Sequence, residues 1–303
     1  MKYIVTGGAG FIGSHIADML VERGDEVHVV DNFLTGKRER VNPRAVLHEV
    51  DIRDFEKLAP IFRKAAGIFH TAAQPRMQLS IREPRLTNDI NITGTLNVLL
   101  AARDAGVKRV VYSASSSAYG HRKEMPLRED MPPLPVIPYA IQKHVGERYC
   151  EMVSRFYGLE TVSLRYFNVY GPRQATDADG PYATVIGIFL GEREKGLPMT
   201  IVPDGSQRRD FTHVSDVARA NLLAMGSEMV GKGEIINIGC GKNYSMLEVA
   251  DMIGGPKVFV EPRQGEAPET LADNRKAREL LNWEPQISFE QGVAELKKMH
   301  HIV

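Results

Sequence analysis

The chain has 303 residues, 43% of them hydrophobic, which is enough to bury a full core in one α/β unit with a smaller lobe. Lysine plus arginine and aspartate plus glutamate number 38 each, and this balance excludes a bulk charge that would attract nucleic acid or an anionic membrane. The two cysteines, Cys150 and Cys240, exclude a disulfide framework, and we expect both to be core residues of a protein in the reducing cytoplasm.

The chain begins with a strand pattern at residues 2–5, so we expect no signal peptide, and no apolar run approaches the ~20 residues of a transmembrane helix. Gly7, Gly10 and Gly13 then form a turn, and residues 11–23 continue with helical apolar spacing. A strand, a glycine turn and a helix place a bare helix N-terminus under an anionic group. Because glycine lets the backbone approach a pyrophosphate, this segment predicts a dinucleotide site.

An acid at the end of the second predicted strand completes this pattern. Residues 26–30 are the strand, and Asp31 follows it, eighteen residues after Gly13. A carboxylate at about this distance meets the adenosine ribose of a bound dinucleotide. Since Asp31 would repel a 2′-phosphate, the sequence predicts NAD as the cofactor in preference to NADP.

Strand and helix patterns continue to alternate through the first half, which predicts a parallel sheet covered on both faces, a Rossmann doubly wound α/β fold. Further strands are predicted at residues 45–50, 67–70, 108–113 and 161–167, and helices at 55–65, 88–105 and 139–157. We expect the dinucleotide-binding domain to span residues 1–170, with a return at about 211–240. Residues 171–303 are expected to form mainly a smaller mixed α/β substrate lobe. A ligand cleft then lies between the carboxyl edge of the sheet and this lobe.

The lobe is expected to take residues 182–196 and the tail from residue 256, and residues 175–180 are polar enough for a surface loop. No His, Cys or Asp cluster has the spacing of a metal site, so no metal is expected, and His15, His70 and His213 are expected to be structural.

A tyrosine and a lysine near the middle of the chain form a candidate catalytic pair. Tyr139 and Lys143 follow Pro138, a good residue for a helix start, and a spacing of four puts them on one helix face. A free tyrosine titrates near ~10, too high for a base at neutral pH. A neighbouring ammonium and an oxidised nicotinamide would both lower that pKa, so we predict that Tyr139 is a base.

A serine cluster follows the predicted strand at residues 110–113. Serines at a strand end often satisfy only turn backbone, but here the strand's carboxyl end points at the expected cleft. One hydroxyl of residues 115–117 is therefore placed to bridge Tyr139 and a substrate oxygen, and the spacing does not select which one.

Over nearly its whole length the chain resembles the extended short-chain dehydrogenase/reductase family and, within it, the UDP-hexose 4-epimerases. The motifs that carry this resemblance occur in one order along the chain: the glycine turn, Asp31-Asn32, Asp51-Ile52, His70-Thr71-Ala72-Ala73, Asn91-Ile92-Thr93-Gly94-Thr95, Ser115 with Tyr119-Gly120, Tyr139 with Lys143, Arg165-Tyr166-Phe167-Asn168, Arg209-Asp210-Phe211-Thr212-His213-Val214 and Ala272-Asp273.

The resemblance implies a role for each matched position. Ser115, Tyr139 and Lys143 would be catalytic. NAD would be contacted by Gly7, Gly10, Phe11, Ile12, Gly13, Asp31, Asn32, Asp51, Ile52, Ala72, Ala73, Gln74, Asn91, Tyr139, Lys143 and Tyr166. The nucleotide sugar would be contacted by Ser115, Ser117, Asn168, Arg209, Arg263, Glu266 and Thr270. Two arginines suit a diphosphate, because each guanidinium can pair with phosphate oxygens through two parallel hydrogen bonds.

The resemblance also separates the reactions of the family. In the 4,6-dehydratases an Asp-Glu pair follows the catalytic serine or threonine and works as acid and base, whereas this chain has Ser116 and Ser117. Serine cannot protonate a leaving hydroxyl, so dehydration is disfavoured. Epimerisation needs a proton acceptor, a hydride store and room for a 4-keto sugar to present its other face.

Thr270 stands where the family has a size gate. Tyrosine there resembles enzymes restricted to UDP-glucose and UDP-galactose, and a small residue resembles those that accept N-acetylated sugars. Residues 74–80 are also similar to the N-acetylhexosamine group. We therefore expect 4-epimerisation of UDP-N-acetylglucosamine and also of UDP-glucose. Enzymes specific for UDP-glucose or UDP-glucuronate, a nucleotide-sugar reductase with net redox, and a non-catalytic NAD-sensing scaffold are the alternatives.

Beyond the UDP-sugar, the family resemblance implies a homodimer with no nucleic-acid or membrane partner. The predicted helices at residues 88–105 and 139–157 would pack against their symmetry mates as a four-helix bundle.

Overall fold

The computed structural model describes residues 1–176, 183–261 and 267–302. Its centre is a seven-stranded parallel sheet, and the strands are β1 (Lys2–Thr6), β2 (Glu26–Asp31), β3 (Val46–Glu49), β4 (Gly67–His70), β5 (Arg109–Ser115), β6 (Glu160–Tyr166) and β11 (Lys232–Ile238). Their order across the sheet is β11-β6-β5-β4-β1-β2-β3, so the chain winds outward in both directions from β1 and β4. This confirms the predicted doubly wound α/β class.

Helices cover both faces of the sheet, because successive strand residues point to opposite sides. Ile4 belongs to one core and the next residue, Val5, to the other. One face carries α1 (Phe11–Glu22) and α8 (Val214–Gly226), and the other carries α2 (Phe55–Phe62), α5 (Gly94–Asp104) and α6 (Pro138–Tyr157). Short helices α3 (Met77–Arg82) and α4 (Pro84–Asn88) pack against the start of α6.

A smaller lobe has its own core, in which Phe189, Phe211 and Phe289 are buried together. Its paired strands are β7 (Val169–Tyr170) with β10 (Thr212–His213), β8 (Met199–Ile201) with β13 (Lys257–Phe259), and β9 (Arg208–Asp210) with β12 (Asn243–Ser245). Its helices are α7 (Val185–Glu194), α9 (Met246–Ile253) and α11 (Phe289–Met299).

Part of the tail from residue 256, which was expected to help build this lobe, lies on the sheet domain. Helix α10 (Arg275–Leu281) packs on α8 and β11, and Trp283 is fully buried in the core of the sheet domain. The indole N–H of Trp283 donates to the carbonyl of Asp216, 2.9 Å away, which explains why a large amphipathic side chain can be buried there.

Two helices differ from the predictions: one is shorter than expected and the other is interrupted. The helix expected at residues 55–65 stops at Phe62, since Lys64 adopts a left-handed conformation with φ of 61°. The helix expected at 88–105 is interrupted by a π-helical turn, Asp89–Thr93, before α5 begins. Apolar spacing alone does not distinguish such a turn from continuous α-helix.

Cys150 is buried, as expected, and Cys240 is half-buried. Residues 177–180 of the expected surface loop lie outside the described residues. Within the described ranges, no helix combines the length and the apolar character needed to cross a membrane.

Candidate active site

A cleft of about 470 Å³ opens where the strands of the central sheet end. Most of the residues predicted to contact the cofactor line it: Gly7, Gly10, Phe11, Ile12, Gly13, Asp31, Asn32, Asp51, Ile52, Ala72, Ala73, Tyr139, Lys143 and Tyr166. They come from segments far apart in sequence, and the parallel sheet brings them together because every strand presents its carboxyl end at the same edge.

The glycine turn between β1 and α1 has the geometry of a phosphate cradle. Gly7 has φ of 71°, and a Cβ added to Gly13 would lie 2.3 Å from the carbonyl oxygen of Gly7. Gly10 is the N-cap of α1 and makes no side-chain capping bond, so the first N–H groups of the helix have no side chain competing for them. The turn therefore fits the pyrophosphate of a dinucleotide.

Asp31 is buried at the other end of the cleft, and its carboxylate is already fixed by backbone. The N–H groups of Ala9 and Phe33 donate to its two oxygens at 3.0 and 2.8 Å. Burial raises the pKa of this carboxyl, and those backbone hydrogen bonds oppose the rise. Each oxygen retains a lone pair, so the carboxylate can also accept ribose hydroxyls.

Asp51 and Asn32 continue this end of the cleft. The side-chain amide of Asn32 donates to Asp51 at 2.7 Å. Hydrogen bonds from Arg53 lower the pKa of Asp51 to about 2, so Asp51 is a carboxylate at neutral pH. Sequence reasoning missed the segment at residues 33–37, which also lines the cleft.

Gln74 and Asn91, both predicted to contact the cofactor, are buried behind the cleft wall instead of lining it. The Asn91 side chain accepts the N–H of Gln74 at 2.7 Å and donates to the carbonyl of Gln74 at 3.0 Å. It also donates to Gln142 at 2.8 Å, on the helix that carries Tyr139 and Lys143. Through these hydrogen bonds, Asn91 holds the loop after β4.

Tyr139 lies at the first turn of α6, immediately after Pro138 at the first helical position. Its backbone N–H donates to the hydroxyl oxygen of Ser80 at 3.1 Å, and its phenol hydrogen-bonds with Ser115. The hydroxyl of Ser117 donates to Ser115 at 2.9 Å. Of the three serines left open by spacing, Ser115 is the one in hydrogen-bond contact with Tyr139.

Burial shifts the pKa values of both Tyr139 and Lys143. Burial raises the pKa of Tyr139, while the hydrogen bond from Ser115 and the positive charge of Arg76 oppose the rise. Burial lowers the pKa of Lys143 to about 8, and Glu147 opposes that fall. The Lys143 ammonium donates to the Ser113 carbonyl at 2.7 Å. Burial therefore opposes ionisation of both groups, and a positive charge near Tyr139 favours its phenolate.

A second cleft, about 490 Å³, adjoins the first on the side of the smaller lobe. The two share residues around Tyr139, including Ile12, Arg76 and Tyr166. The second cleft is lined by the described residues that were predicted to contact the sugar nucleotide: Ser115, Ser117, Asn168, Arg209 and Thr270. Arg263 and Glu266 lie outside the described residues.

A hydrogen-bond network orders the far wall of the second cleft. Asn168, with φ of 28°, donates to the hydroxyl of Thr270 at 3.1 Å and to the carbonyl of Asp210 at 3.1 Å. The buried carboxylate of Asp210 accepts backbone N–H groups from Cys240, Gly241 and Ala272 at 2.8, 2.9 and 3.0 Å. Burial raises the pKa of Asp210 to about 6. The network connects β9 to the segment that carries Thr270.

Sequence reasoning missed Arg76 and Ser80, which lie beside Tyr139. Arg76 lines both clefts and donates to the carbonyl of Ala183 at 3.1 Å. Ser80 reaches Tyr139 because α3 packs against the start of α6. Nothing local in a single sequence relates positions 80 and 139, and only the similarity of residues 74–80 to the N-acetylhexosamine group pointed to this segment.

The profile of the NAD dependent epimerase/dehydratase family matches residues 3–239. A crystal structure of UDP-glucose 4-epimerase with UDP-glucose from Thermotoga maritima is 39% identical, with a TM-score of 0.94 over 99% of this chain and 98% of the other. UDP-glucose 4-epimerase from Thermus thermophilus, complexed with NAD, is 35% identical, with a TM-score of 0.91 over 99% of both chains. UDP-N-acetylglucosamine 4-epimerase from Methanobrevibacter ruminantium, in complex with UDP-N-acetylmuramic acid, is 34% identical, with a TM-score of 0.92 over 98% and 97%.

Proposed function

The chain belongs to the NAD dependent epimerase/dehydratase family, and from that membership we propose that it is a UDP-sugar 4-epimerase with NAD as its cofactor. The observation that carries the proposal is the junction of the two clefts at Tyr139 and Ser115. A sugar carbon at this junction faces the phenol on one side and the cofactor cleft on the other.

NAD, when bound in the first cleft, supplies a hydride acceptor for C4 of the hexose. Tyr139 takes the proton from O4, and Ser115 holds the same oxygen through its hydroxyl. Lys143 supplies a positive charge one helical turn from Tyr139, which favours the phenolate. After the 4-keto sugar has presented its other face, Tyr139 returns the proton to O4 of the epimer. No net redox takes place, because C4 regains the hydrogen that it lost.

The same residues disfavour elimination of water from the sugar. A dehydratase needs an acid beside the catalytic serine, whereas the next residues here are Ser116 and Ser117. Hydroxyl groups with ordinary pKa values cannot protonate a leaving hydroxyl at neutral pH. Epimerisation is therefore the reaction that this set of side chains supports.

Our proposal for the substrate is UDP-N-acetylglucosamine and UDP-N-acetylgalactosamine, with UDP-glucose and UDP-galactose also accepted. Thr270 is hydrogen-bonded to Asn168 and lines the sugar cleft with a small, β-branched side chain. A side chain of this size leaves room for an N-acetyl group at C2, while it does not reject the smaller hydroxyl strongly.

The test is a panel of UDP-sugars fed to the purified holoenzyme, with the C4 stereoisomers resolved by chromatography or NMR. We expect interconversion of the N-acetylhexosamine pair and of the UDP-glucose pair. Turnover of UDP-glucose or UDP-glucuronate alone would restrict the substrate and contradict the role of Thr270. A steady change in reduced-nicotinamide absorbance with no C4 isomer would identify a reductase instead.

A further inference from the structure

A buried ion pair lies directly behind the proposed catalytic residues. Glu147 is one helical turn beyond Lys143 on α6, and Arg165 is on β6, where it pairs with Ala114 of β5. Nε and Nη2 of Arg165 donate to the two carboxylate oxygens of Glu147 at 2.7 and 2.8 Å. Both side chains are about 1% exposed, so neither charge is screened by water.

The pair connects three elements of the site. The Arg165 guanidinium lies over the ring of Tyr119, 4.5 Å from its centroid, in the 3-10 turn that follows Ser115. Tyr119 in turn donates to Asn237 on β11 at 2.7 Å. Burying two charges is costly unless both are well hydrogen-bonded, and such pairs often add little to stability. A role in the chemistry accounts better for its place than stability alone.

We propose that Glu147 is a positioning residue for the epimerase site: held by Arg165, its carboxylate keeps the Lys143 side chain charged beside Tyr139. The inference rests on the proposed function of Tyr139 and Lys143. Lys143 is buried and donates to the carbonyl of Ser113, a partner that stabilises an ammonium but carries no charge. The Glu147 carboxylate, one turn along the same helix and bonded to Arg165, raises the pKa of Lys143 through its charge.

The titratable and charged groups near Lys143 and Glu147 come from four elements: His70 on β4, Tyr112 on β5, Glu147 and Cys150 on α6 with Tyr139 one turn earlier, and Arg165 on β6, which is bonded to Glu147. Burial lowers the pKa of His70 to about 3, so His70 is neutral. Burial raises the pKa of Cys150 to about 12 and that of Tyr112 above its usual value, so these two are neutral as well. Burial also raises the pKa of Glu147, but hydrogen bonds from Arg165 and His144 outweigh it and keep Glu147 ionised.

The sign of the effect follows from these charges. Burial lowers the pKa of Lys143 to about 8, and removal of the Glu147 charge lowers it further. Lys143 would then lose its proton at a lower pH, and with it the charge that favours the Tyr139 phenolate. The alkaline limb of the activity profile therefore moves to lower pH, whereas the acid limb, which reports Tyr139 itself, stays in place.

The experiment is the pH profile of kcat/KM for the holoenzyme and for Glu147→Gln. We expect the alkaline limb to fall by about one pH unit. The matched control is Glu151→Gln, which removes a carboxylate one turn further along α6, where it pairs with Arg148 at the surface. The control should keep the wild-type profile. If kcat/KM of Glu147→Gln falls at every pH while both limbs of its profile stay in place, the inference is overturned.

A second variant and a second measurement test the same inference. If Glu147→Gln fails to fold because Arg165 is left without a countercharge, Glu147→Gln/Arg165→Gln removes both charges and should still lower the limb, but by less than Glu147→Gln, because the opposing Arg165 charge is lost with the carboxylate. NMR titration of lysine side chains labelled with ¹³C at Cε, with the Lys143 signal assigned from Lys143→Met, reads its pKa without any turnover. An unchanged Lys143 pKa in Glu147→Gln overturns the inference even if the UDP-sugar panel fails, so the two failures are distinguishable.

Discussion

Tyr139 is fixed at its backbone by Ser80 and at its phenol by Ser115, so its hydroxyl has little freedom to leave the junction of the clefts. Burial raises its pKa, and the hydrogen bond to Ser115 and the charge of Arg76 oppose the rise. In the proposed function, a positive charge in the neighbouring cleft would make Tyr139 a better base, which would couple proton removal to the presence of the oxidised cofactor.

Tyr139→Phe should lower kcat by about three orders of magnitude, since it removes the proton acceptor and leaves the ring in place. NAD should remain bound, because the glycine turn and Asp31 are unchanged. Steady-state kinetics and the cofactor content of the purified variant measure the two effects. Tyr149→Phe, a loss of one hydroxyl further along the same helix, is the control. Near-normal turnover of Tyr139→Phe would remove Tyr139 as the base.

Thr270→Tyr tests the space beside C2 of the hexose. A ring in place of the β-branched side chain should fill the room that an N-acetyl group needs, so kcat/KM for UDP-N-acetylglucosamine should fall by at least tenfold more than that for UDP-glucose. Thr270→Ser is the control, because it keeps the hydroxyl bonded to Asn168 without adding bulk. Equal losses for both substrates would show that the position does not discriminate by size.

The π-helical turn Asp89–Thr93 is the element that connects the loop after β4 to α6. It turns Asn91 inward, where one side chain serves both polar groups of the Gln74 backbone and the amide of Gln142. An interruption of this kind in a helix is commonly associated with a functional site. Here the buried side-chain amide of Asn91 holds both the loop after β4, at the wall of the first cleft, and helix α6.

Asn91→Ala should lower the free energy of unfolding by about 3 kcal/mol, because buried groups of Gln74 lose their hydrogen-bond partners. Urea denaturation measures the change, and the affinity for NAD should fall as the loop loses its support. Asn88→Ala, at an exposed position one turn earlier, is the control and should be within about 0.5 kcal/mol of wild type. A loss for Asn91→Ala as small as that of the control would contradict the supporting role.

The positions of the strands follow closely from the sequence, whereas the parts that close the site do not. The buried runs at β1, β4 and β5 are bounded by glycine or polar turns, so their pattern identifies them directly. The π-helical turn, the return of α10 to the sheet domain, and the approach of Arg76 and Ser80 to Tyr139 depend on packing between distant segments. The glycine turn, Asp31 and the Tyr139–Lys143 pair were predictable because a local spacing sets their geometry.

For the whole molecule, the outer face of α6 carries apolar side chains that this chain leaves in solvent. Ile141 is 46% exposed and Phe156 is 68% exposed, and they lie fifteen residues apart on one face of the helix. Such a face supports the prediction of a homodimer through α5 and α6, since apolar surface of this kind is commonly covered by a partner.

Phe156→Glu should shift the protein from dimer to monomer in analytical ultracentrifugation, because a charge would be placed in the dimer interface. The folded chain itself should be unaffected, as this side chain is mostly in solvent. Phe259→Glu on β13 of the smaller lobe, where the side chain is 58% exposed, is the control and should remain a dimer. A monomeric wild type would contradict the predicted assembly.

The hydrogen on C4 of the sugar tests the proposed chemistry most directly. UDP-N-acetylglucosamine carrying deuterium at C4 is incubated with the holoenzyme, and the product is examined by NMR and mass spectrometry while reduced-nicotinamide absorbance is followed. Because Tyr139 and Ser115 handle only the O4 proton, we predict that deuterium remains at C4 of the epimer and that absorbance does not rise with turnover. Loss of the label to water, or a steady change in absorbance, would contradict epimerisation at this site.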